Sequence, residues 1–154
     1  MLEIKVRNAN EKDKKILFNW FNDKKSFKYK LKTRSKISFI EHSLWFKNTL
    51  ADKRNLLSII EVNQVLAGQI RLNYINTKNY EIDIYIVNAY RGMKIAKYAL
   101  NKTEKKLPNG SIIISKVKKN NEASLRFFLA SNFIIFRQDE VMWELKKKIK
   151  NISK

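Results

Sequence analysis

The sequence predicts a single α/β (α+β) domain, with one mixed, mostly antiparallel sheet flanked by helices. Three observations lead there. The 154 residues fit one domain and leave little room for two. At 44% hydrophobic and 12% aromatic, the chain can bury a sizeable core. The hydropathy pattern alternates between strand and helix periods in the order β-α-α-β-β-β-α-β-α-β-β, and strands mixed with helices pack as one covered sheet. The domain is expected over residues 1–145, followed by a basic tail over 146–154 that frays.

Each element has a local reason. Leu2, Ile4 and Val6 alternate with Glu3, Lys5 and Arg7, which is a half-buried strand. Asn10 caps a helix from Glu11, whose apolar face is Ile16, Leu17, Trp20 and Phe21, ending near Asn22-Asp23. Lys24–Lys36 reads as a polar connection. Ser38-Phe39-Ile40-Glu41 is a capping box that opens a second helix through about Leu50. Three strands follow at Asn55–Val62, Val65–Ile75 and Tyr80–Val87, the first two joined by a tight Asn63-Gln64 turn. A third helix is predicted over Arg91–Leu107, with Ala96, Leu100, Thr103 and Leu107 on one face and Pro108-Asn109-Gly110 as its stop. Ser111–Val117 carries three consecutive isoleucines and reads as a strand buried on both faces. A short helix over Asn121–Ser131 and a hairpin-like pair, Phe133–Phe136 and Glu140–Leu145, close the domain.

Composition excludes several functions. Without cysteine there is no disulfide scaffold, thiolate zinc site or cysteine nucleophile. A single histidine, His42, rules out a multi-histidine metal site, so no metal is expected. No apolar run approaches the ~18 residues of a membrane span. Met1-Leu2-Glu3-Ile4-Lys5 lacks a secretory apolar region, so a cytoplasmic protein is expected. The formal charge of +19 points first to a polyanion partner. Yet 26 Lys, 17 Asn and 19 Ile against 7 Arg follow A/T-rich codon usage, and the lysines are spread along the chain. No helix-turn-helix, zinc-knuckle or RNP-type aromatic pattern accompanies them. Nucleic acid is therefore the weaker reading of the charge.

The most informative segment is Glu81–Leu100. A strand ends at Asn88-Ala89-Tyr90, and Arg91-Gly92-Met93-Lys94-Ile95-Ala96 opens a helix. Unpaired N–H groups and the positive end of the helix dipole make such a junction an anion site. Here the chain resembles the GNAT superfamily of acyl-CoA N-acyltransferases, whose acetyl-CoA motif is Arg/Gln-x-x-Gly-x-Gly/Ala. Arg91 and Ala96 fit it, and Lys94 replaces the usual glycine. A second family mark, Asn-x-x-Ser with an aromatic pair and Gly-Phe, matches at Asn121, Ser124 and Phe133. Phe128 stands where tyrosine is common and Asn132 where glycine is, and asparagine tolerates the left-handed backbone needed there. The element order agrees over about residues 1–145.

The resemblance implies a GNAT-like domain with acetyl-CoA as acyl donor. Pantetheine would lie against backbone groups of Ile86 and Val87 where the sheet splays. Pyrophosphate would meet Arg91, Gly92, Met93, Lys94, Ile95 and Ala96, with Asn121 and Phe128 completing the donor site. Glu81 resembles the strand carboxylate that serves as general base. Asp83, two residues on, shares its face; two carboxylates on one face raise the pKa of one toward neutrality, unless both are solvated on an exposed strand face. With Phe128 lacking a hydroxyl, Tyr85 or Tyr90 is the candidate acid, or the thiolate leaves unprotonated.

The acceptor side is similar to the N-acetyltransferases of nucleotide-linked 4-amino sugars, including those of the pseudaminic acid pathway. Ser38 and His42 match their Ile-Ser-x-x-x-His spacing, whereas Phe21 replaces an arginine for which Arg34 could compensate. That resemblance implies Asn22, Tyr29, His42, Trp45 and Arg71 as substrate-binding residues. The alternatives are an acetyltransferase for a protein N-terminus or another amine, a non-catalytic basic nucleic-acid-binding domain, and a member of the fold without turnover.

Overall fold

Alternating apolar residues start the chain as strand β1 (Ile4–Asn8) in the computed structural model, which describes residues 2–23, 29, 36–92 and 94–150. A 3-10 turn over Glu11–Asp13 then leads into helix α1 (Lys14–Phe21). The turn is closed reciprocally. Asn10 Oδ1 accepts from the Lys12 N–H at 2.9 Å, and Asp13 Oδ2 accepts from the Asn10 N–H at 2.8 Å. Asp13 also accepts two bonds from the Arg7 guanidinium, at 2.8 and 2.9 Å, while Arg7 Nε donates to Glu61 at 2.6 Å. This network pins the start of α1 to the first two strands. Burial works against the Asp13 carboxylate, but the Arg7 hydrogen bonds prevail and hold its carboxyl below the ordinary value.

The remaining elements follow the predicted order. They are α2 (Phe39–Ala51), β2 (Leu56–Val62), β3 (Val65–Asn76), β4 (Asn79–Ile86), α3 (Ile95–Glu104), β5 (Ile112–Lys118), α4 (Glu122–Ala130), β6 (Ile134–Gln138) and β7 (Met142–Lys148). The seven strands form one sheet in the order β1-β2-β3-β4-β5-β7-β6. Every neighbouring pair is antiparallel except β4 with β5. Asn63 and Gln64 both have positive φ (49° and 69°), as the tight β2–β3 hairpin requires. Ser38 caps α2 by accepting from the Glu41 N–H at 3.1 Å, which is half of the expected box; the Glu41 carboxylate accepts from the Ser38 hydroxyl at 3.2 Å in place of the Ser38 N–H.

Two cores lie on opposite faces of the sheet. Leu17, Trp20, Phe46, Leu57 and Ile59 join α1 and α2 to one face. Ile82, Ile95, Leu100, Ile113, Phe128 and Leu145 belong to the larger core, which joins α3 and α4 to the other. Among the described residues no helix is long and apolar enough to cross a membrane.

Three expectations are corrected. Helix α3 starts at Ile95, because Gly92 (φ 80°) and Lys94 (φ 62°) adopt left-handed conformations that no helix continues through. It ends at Glu104, ahead of the predicted Leu107. β5 is fully buried on one face only, at Ile113, Ser115 and Val117, because α1 and α2 pack over β2 and β3. The basic tail does not begin at Lys146: β7 pairs with β5 as far as Lys148, and Ile149 is buried and bonded to Ser111.

Candidate active site

The β4–β5 ladder has three rungs, Asn79↔Ile112, Tyr80↔Ile113 and Glu81↔Ile114. Both strands then continue without each other, β4 against β3 and β5 against β7, so the sheet opens as a wedge beyond Glu81. Two bonds orient the backbone along it. The Lys78 carbonyl accepts from the Ile112 N–H at 2.8 Å, and the Val87 N–H donates to Ala67 O at 2.8 Å. Backbone groups alternate in direction along a strand. Ile84 and Ile86 therefore share the direction of Lys78 and face the wedge, while Val87 is spent on β3. The Val87 N–H, expected to face a donor, is therefore taken by Ala67, and Ile84 faces the wedge instead, a direction that depends on where β5 leaves the ladder and is invisible in one sequence. Gly68 lies opposite Ile86, and a β-carbon there would stand 2.1 Å from the Tyr85 carbonyl oxygen. Only glycine permits this approach of β3 to β4.

At the mouth of the wedge, Arg91 Nε donates to the Ile86 carbonyl at 2.8 Å. Gly92 and Lys94 turn the chain, and α3 begins with no side-chain cap on its first amides. Ile95 is buried, Ala96 half-buried, and Lys94 exposed. The free amides, the helix dipole and nearby cations suit a pyrophosphate. Lys94 holds a left-handed geometry (φ 62°) that a glycine would adopt without strain. Met93 lies outside the described residues. Asn121 caps α4 by accepting from the Ser124 N–H at 3.2 Å. Phe128 is buried, its ring centre 5.1 Å from that of Phe127 and 4.9 Å from that of Phe133, so it serves as core. Asn132 has φ 73°, the conformation expected of it.

The odd-numbered side chains of β4 share the face of α1 and α2. Each carboxylate there meets a cation. Lys116 Nζ lies 3.4 Å from Glu81, and Arg71 Nη2 lies 3.9 Å from Asp83. Gln69 Nε2 also donates to Asp83 at 2.8 Å. Tyr85 donates its hydroxyl proton to Asp23 at 2.8 Å and lies under the Arg91 guanidinium. Burial, followed by the bond to Asp23, pushes Tyr85 up to about 12. A phenol of that pKa is a poor proton donor to a thiolate. Tyr90 packs against the larger core.

The predicted acceptor residues divide. Arg71 stacks on Trp45, its guanidinium 5.0 Å from the ring centre, and both reach the Asp83 side of the wedge. Asn22 is spent on backbone: its Oδ1 accepts from the Ile37 N–H at 3.1 Å and its Nδ2 donates to Ile37 O at 3.2 Å. It thus clamps the end of α1 to the start of α2. His42 is 1% exposed, ringed by Phe18, Phe21, Trp45 and Phe46, with neither ring nitrogen hydrogen-bonded. Burial pushes its imidazole below the ordinary 6.5, and the Lys14 and Arg71 charges add to the shift. Tyr29 is exposed, and Arg34 lies outside the described residues.

Comparison with known proteins matches residues 15–133 to the "Acetyltransferase (GNAT) family". No curated protein matches the chain. Among solved structures, a domain from Methanocaldococcus jannaschii DSM 2661 is similar at 20% identity and TM-score 0.83, covering 96% of this chain and 99% of that one. The spermidine N-acetyltransferase of Vibrio cholerae, solved with CoA and spermine, is similar at 17% identity and TM-score 0.79, covering 95% of each chain. The yncA protein of Salmonella typhimurium, solved with its cofactor acetyl-CoA, is similar at 12% identity and TM-score 0.79, covering 99% of this chain and 97% of that one. The family match spans most of the chain and takes in the wedge and the loop before α3, so the protein belongs to the acetyltransferase (GNAT) family and uses acetyl-CoA as its acyl donor.

Proposed function

We propose that the protein acetylates a primary amine on a small acceptor, most specifically the 4-amino group of a nucleotide-linked amino sugar, with Glu81 as general base. The observation that carries the donor half is the wedge: two gap-facing β4 residues lead from Glu81 to the uncapped amides of α3. Pantetheine would bond Ile84 and Ile86, and pyrophosphate would meet Arg91–Ala96. The acceptor amine then approaches from the α1–α2 face. Its nitrogen attacks the thioester carbonyl, the N–C bond forms, the C–S bond breaks, and Glu81 takes the amine proton. With Tyr85 held as a weak acid, the sulfur leaves as thiolate.

Support for the sugar nucleotide comes from the Ser38/His42 spacing and from Arg71 on Trp45, a cation and an apolar ring suited to an anionic, ring-bearing acceptor. His42 is part of the packing around that site. A second reading, a polyamine acceptor, is favoured by Asp23, Glu81 and Asp83 sharing the α1–α2 side in a chain with only 14 acidic residues.

Calorimetric titration with acetyl-CoA at moderate and high salt tests the donor site. Micromolar binding that survives salt and is lost in Ala96→Glu is expected. CoA release is then measured with a nucleotide-linked 4-amino sugar and with spermidine, and the faster substrate decides between the acceptors. Glu81→Gln should lower kcat by about 10²–10⁴ with unchanged thermal unfolding. Unchanged turnover in that variant removes Glu81 from the mechanism.

A further inference from the structure

Charged side chains form a row across four strands at the vertex of the wedge. Glu81 on β4 pairs with Lys116 on β5 at 3.4 Å. Lys116 stands directly opposite Glu144 on β7. Glu144 pairs with Arg137 on β6, its register partner, at 3.5 Å. The signs alternate from the vertex to the sheet edge. Lys116 lies two residues beyond the last β4–β5 rung, so the ion pair spans the strands where they have begun to part. Glu81 and Lys116 keep 32% and 30% of their side-chain surface, which leaves the pair reachable by an acceptor, whereas the Glu144 side chain keeps only 11%.

We propose that Lys116 is a positioning residue for the transfer: its ammonium holds the Glu81 carboxylate turned toward the wedge, and the Glu144–Arg137 pair fixes the β5–β7–β6 side from which it reaches. The inference rests on the reading of Glu81 as the base. The charged groups around Glu81 give the reason. On its own strand Asp83 presents a like charge two residues on, partly offset by Arg71 on β3. Directly opposite on β3 stands Asn73, which is neutral. From β5 comes Lys116, backed by Glu144 on β7 and Arg137 on β6. A cation beside a carboxylate favours its charged form, and a protonated carboxyl cannot accept the amine proton. The same cation weakens the base it holds. Loss of Lys116 therefore costs activity at low pH and leaves it intact at high pH, a pattern that a packing defect does not produce.

The test uses Lys116→Met and Lys116→Arg in the full chain, with two readouts. Carboxyl-carbon NMR of the free protein follows the titration of Glu81 itself. The pH profile of kcat/KM follows CoA release, using whichever of the two acceptor probes above is turned over. In Lys116→Met the Glu81 midpoint and the acid limb should rise together by about half to one pH unit, the size of a unit-charge interaction at 3.4 Å in a water-like dielectric. Activity should converge with the parent at high pH, and Lys116→Arg should restore both readouts. A Glu81 midpoint unmoved in Lys116→Met overturns the proposal. A midpoint that moves without the acid limb overturns the assignment of Glu81 as base, and the catalytic role of Lys116 with it.

Discussion

Replacing His42 should make the protein both more stable and less sensitive to acid. Its imidazole is 1% exposed inside a ring of aromatic side chains, and neither nitrogen has a hydrogen-bond partner. Burial is the largest cause of its lowered pKa, followed by the charges of Lys14 and Arg71. An imidazole whose folded pKa lies below its unfolded value of 6.5 takes its proton preferentially in the unfolded chain. The stability contributed by this site is complete above pH 6.5 and is lost as the pH falls toward the folded pKa. One proton gives a slope of about 1.4 kcal/mol per pH unit. Integrated from pH 7.5 to 5.5, a proton taken up by the unfolded chain alone sets the ceiling of this loss at about 1.4 kcal/mol.

The window is clean, because His42 is the only histidine. Among the shifted groups, Tyr85 is raised to about 12 and Asp13 is lowered from 3.8, so neither titrates there. Urea unfolding at pH 7.5, 6.5 and 5.5 should show the loss in the parent and a flat response in His42→Phe. The phenyl ring also removes two unpartnered polar atoms from an apolar site, for a gain of about 1 kcal/mol at neutral pH, or roughly 2–4 °C in Tm at this chain length. The KM for the acceptor should stay within about twofold, since the side chain is enclosed. Equal pH dependence in the two proteins, or an imidazole that titrates near 6.5 by NMR, would refute the argument.

Two further substitutions probe the walls of the wedge. Gly68→Ala places a methyl 2.1 Å from the Tyr85 carbonyl oxygen, so β3 and β4 must shift beside Ile86. A loss of about 2 kcal/mol or more in urea unfolding is expected, with weakened acetyl-CoA binding by calorimetry. Lys94→Gly relieves a left-handed residue worth about 1–2 kcal/mol and gives back about 0.4–1 kcal/mol through the freer unfolded chain. A net gain near 0.5 kcal/mol is expected in the same assay, and a loss would show that the lysine side chain supports the loop.

The element order was legible because apolar periodicity is local. Ile82, Ile84 and Ile86 announce β4 whatever lies beside it. The start of α3 was not, since its face residues sit at helical spacing while positive φ at Gly92 and Lys94 keeps the preceding residues out of the helix. The three isoleucines of β5 suggested burial on both faces, but coverage of a strand depends on which helices reach that half of the sheet. The same distinction runs through the site. Arg91 and Ala96 are proposed because motif spacing names them, and Glu81 because it resembles the family's strand carboxylate. The partners of Glu81 and Asp83, Lys116 and Gln69, come from register between distant segments, which one sequence does not encode visibly. Asn22 and His42 show a second limit. Helical spacing puts His42 near Trp45 and Phe46, but only the packing of α2 shows that this face points inward.

An open wedge is also a demand on backbone bonding. Buried or half-buried amides need partners, and β4 offers Ile84 and Ile86 to a neighbour that has left. Arg91 meets one of these needs by donating to the Ile86 carbonyl. The Val87 and Tyr85 amides stand differently, because both lie on the side that pairs with β3. A donor bound in the wedge should therefore change exchange at alternate residues only. Native-state hydrogen exchange with saturating acetyl-CoA should slow the Ile84 and Ile86 amides and give Val87 and Tyr85 no protection beyond the global gain. At a hundredfold excess over Kd the ligand adds about 2.7 kcal/mol of stability, so every globally exchanging amide slows as well, by the same factor of about 100. The alternation must show above that uniform shift. If Val87 gains as much as Ile86, the donor does not pair along β4, and the direction assigned to its backbone is wrong.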